Sequence, residues 1–142
     1  MSNFRHVVEI LVPPERVWAV LLDVAHWPEW TPTVTSANRL DDGLMAVGSR
    51  TKLVQPKLAP AVWRVTDLDE KKGLFVWATS RPGITVTASH LLERIPAGTR
   101  MTNELRYLGL LGPLMALILK KLSEEYLATE AQGLKRRCES GD

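Results

Sequence analysis

Residues 82–138 read PGITVTASHLLERIPAGTRMTNELRYLGLLGPLMALILKKLSEEYLATEAQGLKRRC, and their patterning decides the fold class. Pro82-Gly83 opens a segment in which Ile84, Val86, Ala88, His90 and Leu92 share one side while Thr85, Thr87, Ser89 and Leu91 share the other, the period of a β-strand. Pro96-Ala97-Gly98 turns the chain back. Met101, Asn103, Leu105 and Tyr107 then alternate with Thr102, Glu104, Arg106 and Leu108, and the charges mark the solvent side. The inner face of this pair therefore carries His90, Asn103 and Tyr107. Gly112-Pro113 starts a helix expected to run to Cys138. Two long antiparallel strands thus feed one terminal helix, whose apolar face needs the sheet to cover it.

That helix has a divided apolar face. Met115, Leu119, Leu122 and Tyr126 form one stripe, and Leu127, Ala131, Leu134 and Cys138 form another about 100° round, by the helical period. Gly133 continues the first stripe, where a missing side chain either permits a bend or leaves room beneath the helix. Cys138 is expected near a frayed terminus.

Upstream, Phe4, Val8, Ile10 and Val12 alternate with Arg5 and Glu9 as a half-buried strand that Pro13-Pro14 ends. Pro14 then suits the first turn of a short helix with Val17, Trp18 and Leu21 on its apolar face. Asp23 is expected to cap a second short helix that closes at Trp27-Pro28, because a residue before proline is pushed out of helical geometry. From Val34 the pattern becomes a meander of short strands, punctuated by Asp41-Asp42-Gly43, Gly48, Gln55-Pro56, Pro60, the run from Asp67 to Gly73, and Pro82-Gly83. Trp63 and Val65 show a clear buried face; Phe75 and Trp77 alternate with the equally apolar Leu74 and Val76 and do not.

With 142 residues, 45 % of them hydrophobic and 24 % charged, the chain is of ordinary globular composition and long enough to bury roughly two-thirds of its unfolded surface. A net charge of +2 argues against a phosphate backbone as partner, so no nucleic acid is expected. The single cysteine forbids an internal disulfide and a multi-cysteine metal site. The N-terminal residues lack the pattern of a signal peptide, and the charge-free run Leu108 to Leu119 is shorter than the ~18 residues of a spanning helix, so a soluble, cytoplasmic protein is expected.

The order of strand, two short helices, antiparallel meander and long terminal helix resembles the helix-grip architecture, an α+β fold in which a curved antiparallel sheet wraps a long C-terminal helix. Pro13-Pro14-Glu15-Arg16-Val17-Trp18, then Asp23-Val24-Ala25-His26-Trp27-Pro28-Glu29-Trp30, Gly98-Thr99-Arg100-Met101-Thr102 and Leu134-Lys135-Arg136 are similar to motifs of the polyketide cyclase/dehydrase and lipid-transport family, within the START/Bet v 1-like (SRPBCC) superfamily. The resemblance covers nearly the whole chain and implies one domain over residues 1–142. It further implies an apolar cavity between sheet and helix that holds a lipid, polyketide or similar hydrophobe. Carriers and enzymes share this architecture, so the resemblance leaves the chemistry open.

On the inner face His90 is either a hydrogen-bonded core histidine or a general base near neutral pH. Asn103 and Tyr107, on the neighbouring strand, either polarise a substrate carbonyl or satisfy one another. Trp63 and Trp77 serve as flat cavity walls or as ordinary core. Met115, Leu119 and Leu122 of the first helical stripe face the same space. Trp27 and Trp30 are expected to close the short-helix corner against the sheet. Two functions follow as expectations: binding or transport of a small hydrophobic ligand, and alternatively a cyclase or dehydratase acting on a polyketide-like substrate with His90 as its general base.

No glycine-flanked nucleophile, metal-ligand spacing or phosphate-cradling loop is present in the sequence, so no metal or other cofactor is expected. The run Leu108 to Leu119 is apolar all round. It is a cavity gate, a homodimer contact or a transient membrane contact anchored by Lys120 and Lys121, unless the short helices and loops bury it.

Overall fold

A computed structural model describes residues 3–141. Strand β1 (Phe4–Ile10) leads into helix α1 (Pro14–Leu22) and a 3₁₀ helix (Val24–Glu29). Strands β2 (Ser36–Arg39), β3 (Arg50–Val54), β4 (Ala61–Asp69), β5 (Leu74–Arg81), β6 (Ile84–Ile95) and β7 (Gly98–Leu108) follow, then helices α2 (Gly112–Ile118) and α3 (Lys120–Glu139). All neighbouring strands pair antiparallel in one seven-stranded sheet, in the order β1-β7-β6-β5-β4-β3-β2. The curved sheet around a long terminal helix is the helix-grip arrangement expected from the sequence.

The N-terminal corner forms for local reasons. Pro14 sits at the start of α1, where a missing N–H is harmless, and Val17, Trp18 and Leu21 are buried as a helical stripe. Two expectations fail here. Asp23 makes no capping bond to the 3₁₀ helix; its Oδ1 accepts from His26 Nδ1 at 2.8 Å instead. Pro28 does not end that helix but lies inside it, because the short i→i+3 bonds lose only one donor at a proline, and the Trp30 and Thr31 N–H groups still donate to the Trp27 carbonyl.

The terminal helix is two helices. No glycine or proline marks the break at Leu119, whose φ of −98° and ψ of 15° end α2. Packing imposes it: α2 rests on the β6–β7 end of the sheet, whereas α3 runs against β1, β7 and α1. The two apolar stripes then separate in role. Leu127, Ala131, Leu134 and Cys138 are buried, while Leu122 and Tyr126 are half-buried. Cys138 is thus a core residue near the end of an ordered helix, and burial pushes its thiol up to about 11.

At Gly133 the room of the missing side chain is taken by backbone. A Cβ at this position would stand 2.1 Å from the Trp30 carbonyl oxygen, so the glycine exists to let α3 press onto the 3₁₀ corner. The apolar run after β7 is not covered: Leu110 is 93 % exposed, Leu117 73 % and Ile118 63 %. Burial under the short helices is therefore eliminated for these residues. No helix among the described residues is long and apolar enough to cross a membrane.

Candidate functional site

The cavity follows from strand register. In an antiparallel sheet directly opposed residues share a face, so the inner side chains fall into rungs. Phe75, His90 and Asn103 form one rung; Trp77, Ala88 and Leu105 the next; Thr79, Val86 and Tyr107 a third; Arg81 and Ile84 the last. Leu122, Ser123, Tyr126, Leu127 and Glu130 of α3 face these rungs from the other side. Between them lies a cavity of about 380 Å³, whose wall also includes Trp27, Trp63, Met115 and Leu119. Protein sites for small molecules typically begin near 300 Å³.

Every residue singled out from the sequence as cavity-facing, Trp63, Trp77, His90, Asn103, Tyr107, Met115, Leu119 and Leu122, lies on this wall. Their surroundings differ. The rung of Phe75, His90 and Asn103 is buried, with 0 %, 3 % and 2 % exposure, whereas Ile84 and Val86 are half-buried and Arg81 is exposed. The cavity is therefore closed at the His90 end and opens toward Arg81, where the guanidinium donates to the Pro60 carbonyl at 2.7 Å.

His90 has defined partners. Its ring stacks on Phe75 at a centroid distance of 5.0 Å, and Nδ1 lies 3.1 Å from the Phe75 carbonyl oxygen. That bond requires a proton on Nδ1 and leaves Nε2 free to take or give one. Nε2 stands 3.5 Å from Oε1 of Glu130, whose side chain is 14 % exposed. A strand imidazole nitrogen and a helix carboxylate thus face one another at the closed end of the cavity.

Asn103 has no such partners. Both its Nδ2 and Oδ1 are buried without a hydrogen bond among the described residues. Each buried polar group left in that state costs about 1–3 kcal/mol, so the amide favours any group that pairs with it. Trp63 Nε1 is buried and unpaired as well. Tyr107 instead pairs with Ser123 through hydroxyls 2.7 Å apart, and burial raises its phenol above the ordinary range. Tyr107 and Asn103 thus do not satisfy one another, which was one of the two readings of that pair.

Trp27 does more than close the corner. Its indole N–H donates to the Leu21 carbonyl at 2.9 Å, and its ring meets Trp77 at 5.2 Å and His90 at 6.1 Å as part of the cavity wall. Trp30 remains at the corner, 5.4 Å from Trp27. Glu130 and Ser123 were missed in the sequence. The signal for Glu130 was present: it lies four residues after Tyr126 on the stripe of Leu122 and Tyr126, where a carboxylate breaks an apolar series. Ser123 carries no comparable signal. At the mouth, the Tyr126 hydroxyl donates to the Pro56 carbonyl and ties α3 to the β3–β4 loop. Among the described residues no cluster of three or more His, Cys, Asp or Glu side chains could hold a metal ion.

A family model described as polyketide cyclase / dehydrase and lipid transport matches residues 1–139. No curated protein matches the chain in sequence. Among solved structures it resembles TTHA0849 from Thermus thermophilus, at a TM-score of 0.77 and 19 % identity over 97 % of each chain. It also resembles the Zhui aromatase/cyclase from Streptomyces sp. R1128, at 0.78 and 16 % over 96 % of this chain and 92 % of that one. Ara h 8.0201 superposes at 0.71 and 14 % over 96 % and 97 %. At these identities the likeness extends to the fold.

Proposed function

The chain belongs to the polyketide cyclase/dehydrase and lipid transport family, and from that membership we propose that it binds or carries a small hydrophobic molecule between the sheet and α3. The observation that carries the reading is the cavity of about 380 Å³, walled by Trp27, Trp63, Trp77, Leu105, Met115 and Leu122 with few polar groups among them. Indole walls supply wide apolar contact at low entropy cost. Titration with 1-anilinonaphthalene-8-sulfonate tests it: one equivalent binds with enhanced fluorescence, and Ala88→Phe, which fills the middle rung, abolishes the signal while circular dichroism is unchanged. Absence of binding, or equal binding by a folded Ala88→Phe, overturns the proposal.

A second reading is favoured by one contact, the 3.5 Å approach of Glu130 to His90 Nε2. In this reading the protein is a cyclase- or dehydratase-type enzyme. Nε2 removes a proton from the carbon next to a ligand carbonyl, Glu130 stabilises the imidazolium, and the Asn103 Nδ2–H groups steady the enolate oxygen. Deuterium incorporation next to the carbonyl of 2-tridecanone in D₂O measures this step. The wild type exchanges faster than buffer and His90→Gln does not. A wild-type rate equal to buffer removes the catalytic reading and leaves binding untouched.

The exposed apolar run fits a transient contact with an anionic lipid surface. Leu110, Leu114, Leu117 and Ile118 face solvent, Met115 and Leu119 face the cavity, and Lys120 and Lys121 follow directly. From Leu105 to Ser123 the sequence holds no Asp or Glu, so nothing opposes a negative surface there. A homodimer through the same face is the competing occupant.

A further inference from the structure

We propose that the cavity selects a hydrophobe by a neutral head group that offers a hydrogen-bond donor and an acceptor side by side, paired with the Asn103 amide at the closed end. The ligand's apolar tail points to the α2 mouth. This rests on the reading that the cavity holds a hydrophobic ligand.

The polar groups left unpaired lie at the closed end. The closed rung holds His90 and Asn103 with Glu130 opposite; the next holds Trp77, Ala88 and Leu105; toward the open end the Tyr107 hydroxyl is paired with Ser123 and the Arg81 guanidinium with the Pro60 carbonyl, among Val86, Ile84, Met115 and Leu119. Successive rungs lie two residues apart, so from His90 to Ile84 the floor spans about 20 Å. An elongated amphiphile enters such a space head first.

The head is defined by what the closed end lacks. The His90 Nδ1 is already committed to the Phe75 carbonyl, and the Tyr107 hydroxyl to Ser123. Asn103 alone on this rung has both a donor and an acceptor buried and unpaired. A primary amide is matched by a group with the same two functions reversed: a carboxamide, a lactam or the enol of a 1,3-dicarbonyl. A carboxylate only accepts and would bring negative charge beside Glu130. An ester only accepts and leaves Oδ1 unpaired.

Calorimetric titration of the full chain with decanamide, methyl decanoate and decanoate tests the proposal. Decanamide is expected to bind about tenfold more tightly than either of the others, the worth of roughly one neutral hydrogen bond. Asn103→Leu equalises amide and ester. Equal affinities in the wild type, preference for decanoate, or a preference that survives Asn103→Leu overturns the assignment. Failure of all three to bind overturns the cavity reading itself. Should Asn103→Leu not fold, the wild-type comparison stands, joined by the carbon-13 resonance of the Asn103 side-chain carbonyl, which reports a donor on Oδ1: this shifts with decanamide and stays in place with the ester, and shifts of equal size with both overturn the assignment.

Discussion

Glu130 Oε1 stands 3.5 Å from Nε2 of His90, joining a helix carboxylate and a strand imidazole across the closed end of the cavity. The ring is oriented from behind by the Phe75 carbonyl, 3.1 Å from Nδ1. Nitrogen-15 spectra of the imidazole are therefore expected to show a protonated, hydrogen-bonded Nδ1; an Nδ1 without a proton would refute the geometry. His90→Phe keeps the stack on Phe75 but removes the side-chain bond to its carbonyl, and urea denaturation should show a loss of about 0.5–1.5 kcal/mol.

Gly133→Ala is expected to be among the most damaging small substitutions in α3. The added Cβ meets the Trp30 carbonyl at 2.1 Å, and backbone cannot swing aside. Overpacking of this kind costs about 1–3 kcal/mol or more, which lowers Tm by about 3–10 °C in a domain of this size. An unchanged Tm would mean that the corner is looser than described.

Lys57 adopts a φ of 68°, in the left-handed region, directly after Pro56 in the loop at the cavity mouth. Leu58 N–H closes this turn onto the Gln55 carbonyl at 3.2 Å, and such turns prefer glycine where Lys57 stands. Lys57→Gly should raise stability by about 0.5–1 kcal/mol through relief of that conformation, read as a rise in Tm. A fall would show that the lysine side chain contributes more than its backbone costs.

The Cys138 thiol is buried, and desolvation lifts it from an ordinary 9.0 to about 11. The folded state therefore holds the proton more firmly than the unfolded chain. Its contribution to stability is complete below pH 9 and is lost as pH rises toward 11. At pH 8 only about a thousandth of the folded thiol is ionised, so Ellman's reagent should react with it only after denaturant is added. Rapid labelling of native protein would contradict this.

Leu110→Glu with Leu117→Glu alters two of the most exposed apolar side chains. Away from packed features such changes stay within about 0.5 kcal/mol, so the melting curve should hardly move. Flotation with anionic liposomes should be lost. Equal flotation would dismiss the lipid contact, and a wild type that sediments as a dimer, with a monomeric variant, would assign the face to a second copy.

Secondary structure was legible where period and turn chemistry agree. The alternation from Ile84 to Leu92 and from Met101 to Tyr107 predicts inner faces that the register places on one cavity wall. Phe75 and Trp77 were less legible because both faces of β5 carry apolar residues, yet both are buried, at 0 % and 2 % exposure. The division of the terminal helix left no local trace at Leu119, since the cause is the different surfaces that α2 and α3 meet.

The sequence by itself determined which side chains of β6 and β7 face inward, because the period of a strand is set by backbone geometry. It also determined the apolar run after β7, through composition alone. Only the tertiary structure decided what those groups meet: Glu130 opposite His90, Ser123 on Tyr107, the Trp30 carbonyl against Gly133, and no hydrogen-bond partner for the Asn103 amide among the described residues. These pairings join elements distant in the chain. Their partners are set by how a helix crosses a curved sheet, which no local pattern encodes.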